Sequence, residues 1–366
     1  MRTASERDLL ARLHIDGPLL GGAILICVLG LVVLYSASGQ SLEVVVRQGL
    51  RMLLGLAAMC GIAQISPLRI SRWAPVFYVL GTLLLFVVFL FGTGRGTHRW
   101  LEMSFIRFQP SEIMKLAVPL TAAWFLNDKL LPPRFPIIAV VLVMVLLPGG
   151  LVMVQPDLGT AILIMAAGLL VLFFAGLNWR WIAVAVISGV VLAPIAWYAM
   201  RDYQRQRILT LLDPEKDPLG AGYHIIQSMI AVGSGGWSGK GWLNGTQSYL
   251  EFLPERATDF IFAVYCEEFG LIGVLVILVA YSLVLARGVQ IALSAQDAFG
   301  RLVAASLTVT LFVYIFVNMG MVIGQLPVVG VPLPLVSYGG TSLVTLMTGF
   351  GILMSIQTHR RFIVES

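Results

Sequence analysis

The stretch from Arg201 to Asp259, RDYQRQRILTLLDPEKDPLGAGYHIIQSMIAVGSGGWSGKGWLNGTQSYLEFLPERATD, is the long polar segment of a chain that is otherwise a succession of apolar runs. Beyond it the chain enters FIFAVYCEEFGLIGVLVILVAYSLVLA, Phe260 to Ala286, long enough to cross a bilayer. Asp259 therefore stands where a water-facing loop meets a membrane span. A carboxylate there either caps a helix or does chemistry at the bilayer surface.

Working outward, composition agrees with a membrane protein. Of 366 residues, 58% are hydrophobic and 12% charged, with mean hydropathy +0.90. Soluble domains carry roughly 25% charged residues. The formal charge of +5 is spread between apolar runs rather than clustered, which speaks for membrane topology and against nucleic acid as a partner. Cys27, Cys60 and Cys266 each lie inside an apolar run, with neither metal spacing nor a disulfide framework.

At about 20 residues per span, ten candidates follow: 17–37, 45–65, 74–92, 111–127, 135–154, 158–176, 180–200, 259–286, 303–325 and 339–357. The expected fold class is all-α, a polytopic membrane protein forming one domain over residues 1–366. Residues 201–258 make a large extracytoplasmic loop between spans seven and eight. With the N-terminus inside, the cytoplasmic side receives twelve basic residues, Arg2, Arg7, Arg12, Arg69, Arg72, Lys129, Arg134, Arg180, Arg287, Arg301, Arg360 and Arg361. The short outer loops keep four, Arg47, Arg95, Arg99 and Arg107, so both termini are expected in the cytoplasm.

Inside the long loop, Tyr223 to Val232 reads as helical, and GSGGWSGKGW reads as flexible. The tract fails as a phosphate-binding loop. Gly239-Lys240 supplies the GK, but Ser234 stands where the upstream glycine is required and Gly241 where Ser or Thr should follow.

Ionisable groups in or beside spans are costly, and usually paired or functional. In FQPSEIMKLA, Glu112 and Lys115 lie on one helix face and can pair, either as an interfacial ion pair or as a charged wall of an outward-opening cavity. In VMVQPDLGTA, Asp157 sits at a hairpin tip, where it can cap the next helix. In LPERATDFIF, Thr258 and Asp259 are N-cap types, Glu255 and Arg256 add charge, and Glu267 and Glu268 follow two turns into the span. The density of acid exceeds what capping needs. In GQLPVVGVPLPLVSYGGTS, Gly324 to Ser342, three prolines, four glycines and no charge indicate irregular backbone. Such backbone is tolerated at membrane depth only where protein or a watery cavity satisfies it.

QPSEIMKLA, QPDLGTA, LPERATDFIFAVYCEEFGLIG and LPLVSYGGTS, in this order, resemble the SEDS family of bacterial membrane proteins, the group of RodA, FtsW and SpoVE. The resemblance covers nearly the whole chain. The tract GTQSYLEFLPERATDF and the short N-terminus look more like the elongation branch, RodA, than the division branch, FtsW. It implies a multi-pass protein of the bacterial cytoplasmic (inner) membrane, a peptidoglycan glycosyltransferase that polymerises lipid II on the outer face. It also implies ten spans with a large fourth outer loop. The family's essential aspartate falls on Asp259, and its charged cavity positions fall on Glu112, Lys115 and Asp157. Implied partners are polyprenyl-pyrophosphate-linked glycan, a class B penicillin-binding protein transpeptidase and the elongasome.

The chemistry suits such a site. Chain growth needs a sugar 4-hydroxyl, a poor nucleophile, to attack an anomeric carbon, and a carboxylate such as Asp259 can accept its proton. The leaving pyrophosphate needs cationic compensation, for which Lys115, Arg107 and Arg256 are candidates. A divalent cation, Mg or Mn, is an alternative that no ligand spacing fixes. Direct displacement predicts inversion at the anomeric centre. The competing class is a lipid II flippase or other transporter, which ten spans and a broken re-entrant loop would also suit; a scaffold of a cell-wall complex is the third.

Overall fold

The computed structural model describes residues 13–92, 100–103, 106–217, 220–246 and 255–359. Among the described residues a helix falls on each of the ten expected runs: α1 Gly17–Ala37, α2 Leu42–Ala63, α3 Pro67–Phe91, α4 Pro110–Asn127, α5 Phe135–Val154, α6 Leu158–Phe174, α7 Trp179–Ala199, α10 Ile261–Ser294, α11 Ala298–Val322 and α12 Thr341–Thr358. Seven of them (α1, α2, α3, α5, α10, α11 and α12) are long and apolar enough to cross a membrane. Two shorter apolar stretches lie in α6 and α7. Most side chains of α4 are buried among its neighbours, so it needs no lipid-facing apolar surface of its own.

The boundaries differ from the sequence reading where local chemistry extends a helix past its apolar run. Pro67 starts α3 before Arg69 and Arg72, because proline suits a first helical turn. Asp297 accepts from the Gly300 N–H and starts α11 early, as Asp16 accepts from Leu19 N–H at the head of α1. One feature lies outside the all-helical expectation: a small antiparallel hairpin, β1 Leu101–Met103 and β2 Ile106–Phe108, pairs ahead of α4. The polar segment after α7 also folds, into α8 Asp202–Leu212, a 3-10 turn Pro214–Lys216 and α9 Ala221–Ser234, which contains the expected helical stretch.

Contacts between the ends of the helices collect in two groups. At one end Arg287 pairs with Asp16 at 2.6 Å, His14 stacks on His359 and Asn127 accepts from the Phe299 N–H. The other end holds the starts of α4, α6, α10 and α12 and the connection 323–340. That connection is re-entrant: a Cβ on Gly30 of α1 would press against Val336, and Gly30 lies about 10 Å down α1 from Ala37 at 1.5 Å per residue. Its backbone is satisfied by protein, as the sequence reading required. The Tyr281 hydroxyl donates to Pro334 O at 2.6 Å, Asn318 to Val331 O and Gln48 to Ser337 O.

Candidate functional site

Four helix starts and the re-entrant connection converge at this end. Asp157 heads α6 and caps it, its Oδ1 accepting from the Thr160 N–H at 3.2 Å while Oδ2 accepts from Gln109 Nε2 at 3.0 Å. The capping role foreseen for it is therefore the observed one. Beside it, a Cβ on Gly159 would meet Val329 O, so the start of α6 abuts the connection directly.

Glu112 and Lys115 form the expected i, i+3 pair at 2.6 Å. Both are buried, so Lys115 does not reach outward to an interface. The ammonium lies 5.3 Å from the Tyr314 ring centroid. Glu112 Oε2 is buried with no hydrogen-bond partner among the described residues, as is Thr310 Oγ1. Both residues line a cavity of about 40 Å³, together with Lys115, Thr308, Tyr314 and Ser342. That volume admits water, which suits the orphaned oxygens.

Asp259 behaves unlike Asp157. Phe260 is the N-cap residue of α10 and no side chain caps that helix, so the foreseen capping role is not taken. The Asp259 carboxylate is half-buried and forms no hydrogen bond to a described residue. Its backbone is fixed instead. Asn318 Nδ2 donates to Asp259 O at 2.9 Å, Ser337 Oγ to Thr258 O at 2.6 Å and the Tyr338 N–H to Ala257 O at 2.9 Å. Gly330, at φ +73°, passes so close that a Cβ there would stand 3.4 Å from Asp259 Oδ2.

Asp259 precedes the first residue of the span, and burial raises its pKa to about 6, aided by the charge of Glu255 and opposed by Arg207. Arg207, on α8, is thus near enough for its charge to favour the ionised carboxylate, and the sequence reading did not single it out. Arg256 lies in the same turn and its guanidinium approaches Gly39, between α1 and α2. Arg107 pairs by backbone register with Glu102 in the hairpin; its side chain, like all of Leu253 and Pro254, lies outside the described residues. Tyr314 and Asn318, one turn apart on α11, link the Lys115 pair to the Asp259 backbone, and neither was foreseen.

Residues 19–362 match the family model described as cell cycle protein, FtsW/RodA/SpoVE. The chain belongs to this family. It is 53% identical over 357 residues to the peptidoglycan glycosyltransferase MrdB of Escherichia coli K12, covering 97% of this chain and 96% of the relative. A probable peptidoglycan glycosyltransferase FtsW of Geobacter metallireducens is 37% identical, covering 93% of each. Among solved structures, a chain of a peptidoglycan synthase complex that coordinates polymerization and crosslinking superposes with TM-score 0.83 at 33% identity, covering 94% of this chain and 99% of its own. Thermus thermophilus RodA superposes with TM-score 0.71 at 28% identity, covering 93% and 96%. The chain is thus a multi-pass α-helical membrane protein of the FtsW/RodA/SpoVE group.

Proposed function

We propose that this protein is a peptidoglycan glycosyltransferase of cell elongation, working from lipid-linked substrates at the outer face of the bacterial cytoplasmic membrane, with Asp259 as the general base. The observation that carries the reading is the freedom of the Asp259 carboxylate. Its main chain is clamped on three sides, its side chain caps nothing, and burial holds its pKa near 6, within the range useful to a base at neutral pH.

In this reading Asp259 accepts the proton of the acceptor sugar's 4-hydroxyl as that oxygen forms a bond to the donor's anomeric carbon. The bond from that carbon to the pyrophosphate oxygen breaks, and the pyrophosphate departs with the electron pair. One base and one displacement give inversion. The emerging charge falls to basic side chains. Arg207 and Arg256 lie on the elements around Asp259, and Lys115, held by Glu112, lies deeper. Among the described residues no group of three or more His, Cys, Asp or Glu could hold a metal ion; a divalent cation held by one or two carboxylates and the pyrophosphate itself would add to the charge compensation.

The substrates of this reading are lipid II as acceptor and a polyprenyl-pyrophosphate-linked glycan as donor. Its protein partner is a class B penicillin-binding protein, in keeping with the synthase complex named for the structural relative. The test is polymerisation of lipid II in detergent by the purified protein, alone and with that partner. Glycan strands should form and be lost with Asp259→Ala in a protein that elutes and melts as the unmodified one does. Strands formed equally well by Asp259→Ala would remove the base from the mechanism, and lipid translocation without polymer would mean a flippase.

A further inference from the structure

Below Asp259 the helix α10 is interrupted. Gly270 has φ 60°, ψ −159°, far from helical values, and the i to i−4 bonds around it are replaced. In an unbroken helix Leu271 and Ile272 would donate to the carbonyls of Glu267 and Glu268. Here those carbonyls accept from the N–H groups of Lys240 and Gly241, both at 3.0 Å. Leu271 and Ile272 donate to Gly236 O at 3.0 Å and Trp237 O at 3.1 Å. The Gly-rich tract foreseen as flexible is thus spliced, backbone to backbone, into the break. Its glycines are there for close approach, since a Cβ on Gly235 would collide with Cys266 O and one on Gly239 with Glu268 O.

One side-chain clamp closes the splice. Lys240 Nζ pairs with Glu267 Oε1 at 2.6 Å, and Thr246 Oγ1 donates to the same oxygen at 2.9 Å. Glu267 is fully buried, and removing the Lys240 ammonium takes away the cation that faces its Oε1. The adjacent Glu268 accepts from the Ser36 hydroxyl near the end of α1. The segment so held, Ile261 to Phe269, is the short upper half of α10, and Asp259 stands at its head.

We infer that Lys240 and Glu267 are positioning residues for Asp259: their ion pair locks the Gly235–Gly241 tract into the break of α10 and so fixes where the half-helix presents the carboxylate. The inference rests on the glycosyltransferase reading. Without the pair the splice keeps only its four backbone hydrogen bonds, and the half-helix can shift against the three contacts that hold its head. Substrate would still bind to the surrounding cavity and basic residues, but the base would be misplaced for the acceptor hydroxyl.

The experiment compares Lys240→Met, Lys240→Arg, Glu267→Gln and Asp259→Ala as full-length protein with lipid II in detergent, measuring kcat, KM, the pH–rate profile and thermal unfolding. Lys240→Met and Glu267→Gln should lose about ten- to a hundredfold in kcat, as misplacement of a catalytic group does. KM should stay within about twofold. The acidic midpoint of the profile should move, because the surroundings of Asp259 change, and Lys240→Arg should keep most of the activity. Glu267→Gln, nearly isosteric, carries the test if Lys240→Met is not recovered folded. Unmodified kcat and midpoint in both charge-removing variants, with Asp259→Ala inactive, overturn this inference and leave the functional reading standing. So does a kcat that falls only in proportion to the folded fraction with the midpoint unmoved. An active Asp259→Ala removes the base from the mechanism and this inference with it, whereas no strands from the unmodified protein overturns the glycosyltransferase reading itself.

Discussion

Asn318 holds the main-chain carbonyl of Asp259: its side-chain amide donates to that oxygen at 2.9 Å and to Val331 O at 2.8 Å. One buried amide thereby joins α11, the head of α10 and the re-entrant connection. Asn318→Ala leaves two carbonyls without a donor, at about 1–3 kcal/mol for each one buried. The variant should melt lower and polymerise more slowly. Asn318→Asp, ionised, offers no donor and should fail in the same way. Unmodified melting and rate in Asn318→Asp would show that donation to Asp259 and Val331 is unimportant.

The raised pKa of Asp259 gives two pH effects of opposite benefit. In its proposed role as base it must be ionised, so kcat should fall as pH drops through about 6. For stability, a carboxyl whose folded pKa is raised binds its proton more tightly in the folded state. Stability from this group therefore declines as pH rises from about 4 to about 6, and the penalty persists above. Asp259→Asn should then be inactive yet melt higher than the unmodified protein at pH 7.5, with the gap narrowing toward pH 4. Removing the opposing cation in Arg207→Ala should move the acidic limb to higher pH, and Glu255→Gln should move it lower. Parallel pH–rate and pH–melting series check all of these, and a limb unmoved by either neighbour would refute the assignment.

The Lys115–Glu112 pair yields a contrast between single and double changes. Lys115→Met alone leaves Glu112 buried without its cation, a loss of about 3–5 kcal/mol for a buried pair broken on one side. Lys115→Met with Glu112→Gln removes both charges and should recover most of that stability. Activity should stay low in both, because the cation is gone from the cavity wall. Melting temperatures and lipid II turnover in the single and the double variant, beside the unmodified protein, separate the two roles. A double variant with full activity would make the pair purely structural.

What could be read ahead of the structure was what local chemistry dictates. Ten helices were legible because lipid demands uninterrupted apolar runs, and Glu112–Lys115 because i, i+3 spacing is a property of one helix. Asp157 was legible as a cap for the same reason. Asp259 was not, since Thr258 and Asp259 both suit an N-cap while the N-cap position falls one residue later, on Phe260. The Gly-rich tract was misread as flexible because glycine marks both freedom and close approach. Only the distant carbonyls of Cys266 and Glu268 decide which. Asn318 left a usable signal, a lone amide inside an apolar span. Arg207 left none, because what matters is its nearness to a residue 52 positions later.

Gly330 provides the sharpest steric test of where substrate meets the base. At φ +73° an L side chain is strained by about 1–2 kcal/mol. The added methyl would also stand 3.4 Å from Asp259 Oδ2 and would crowd the carboxylate from the side of the re-entrant connection. Gly330→Ala should therefore lower kcat more than its loss of stability explains. Gly49→Ala serves as the control. That glycine lies within α2, where a Cβ meets nothing within 4 Å, so alanine should raise helix stability by up to about 1 kcal/mol and leave turnover alone. If Gly330→Ala kept full turnover while melting lower, the acceptor would have to reach Asp259 from the side of α8, where Arg207 lies, rather than across the re-entrant connection.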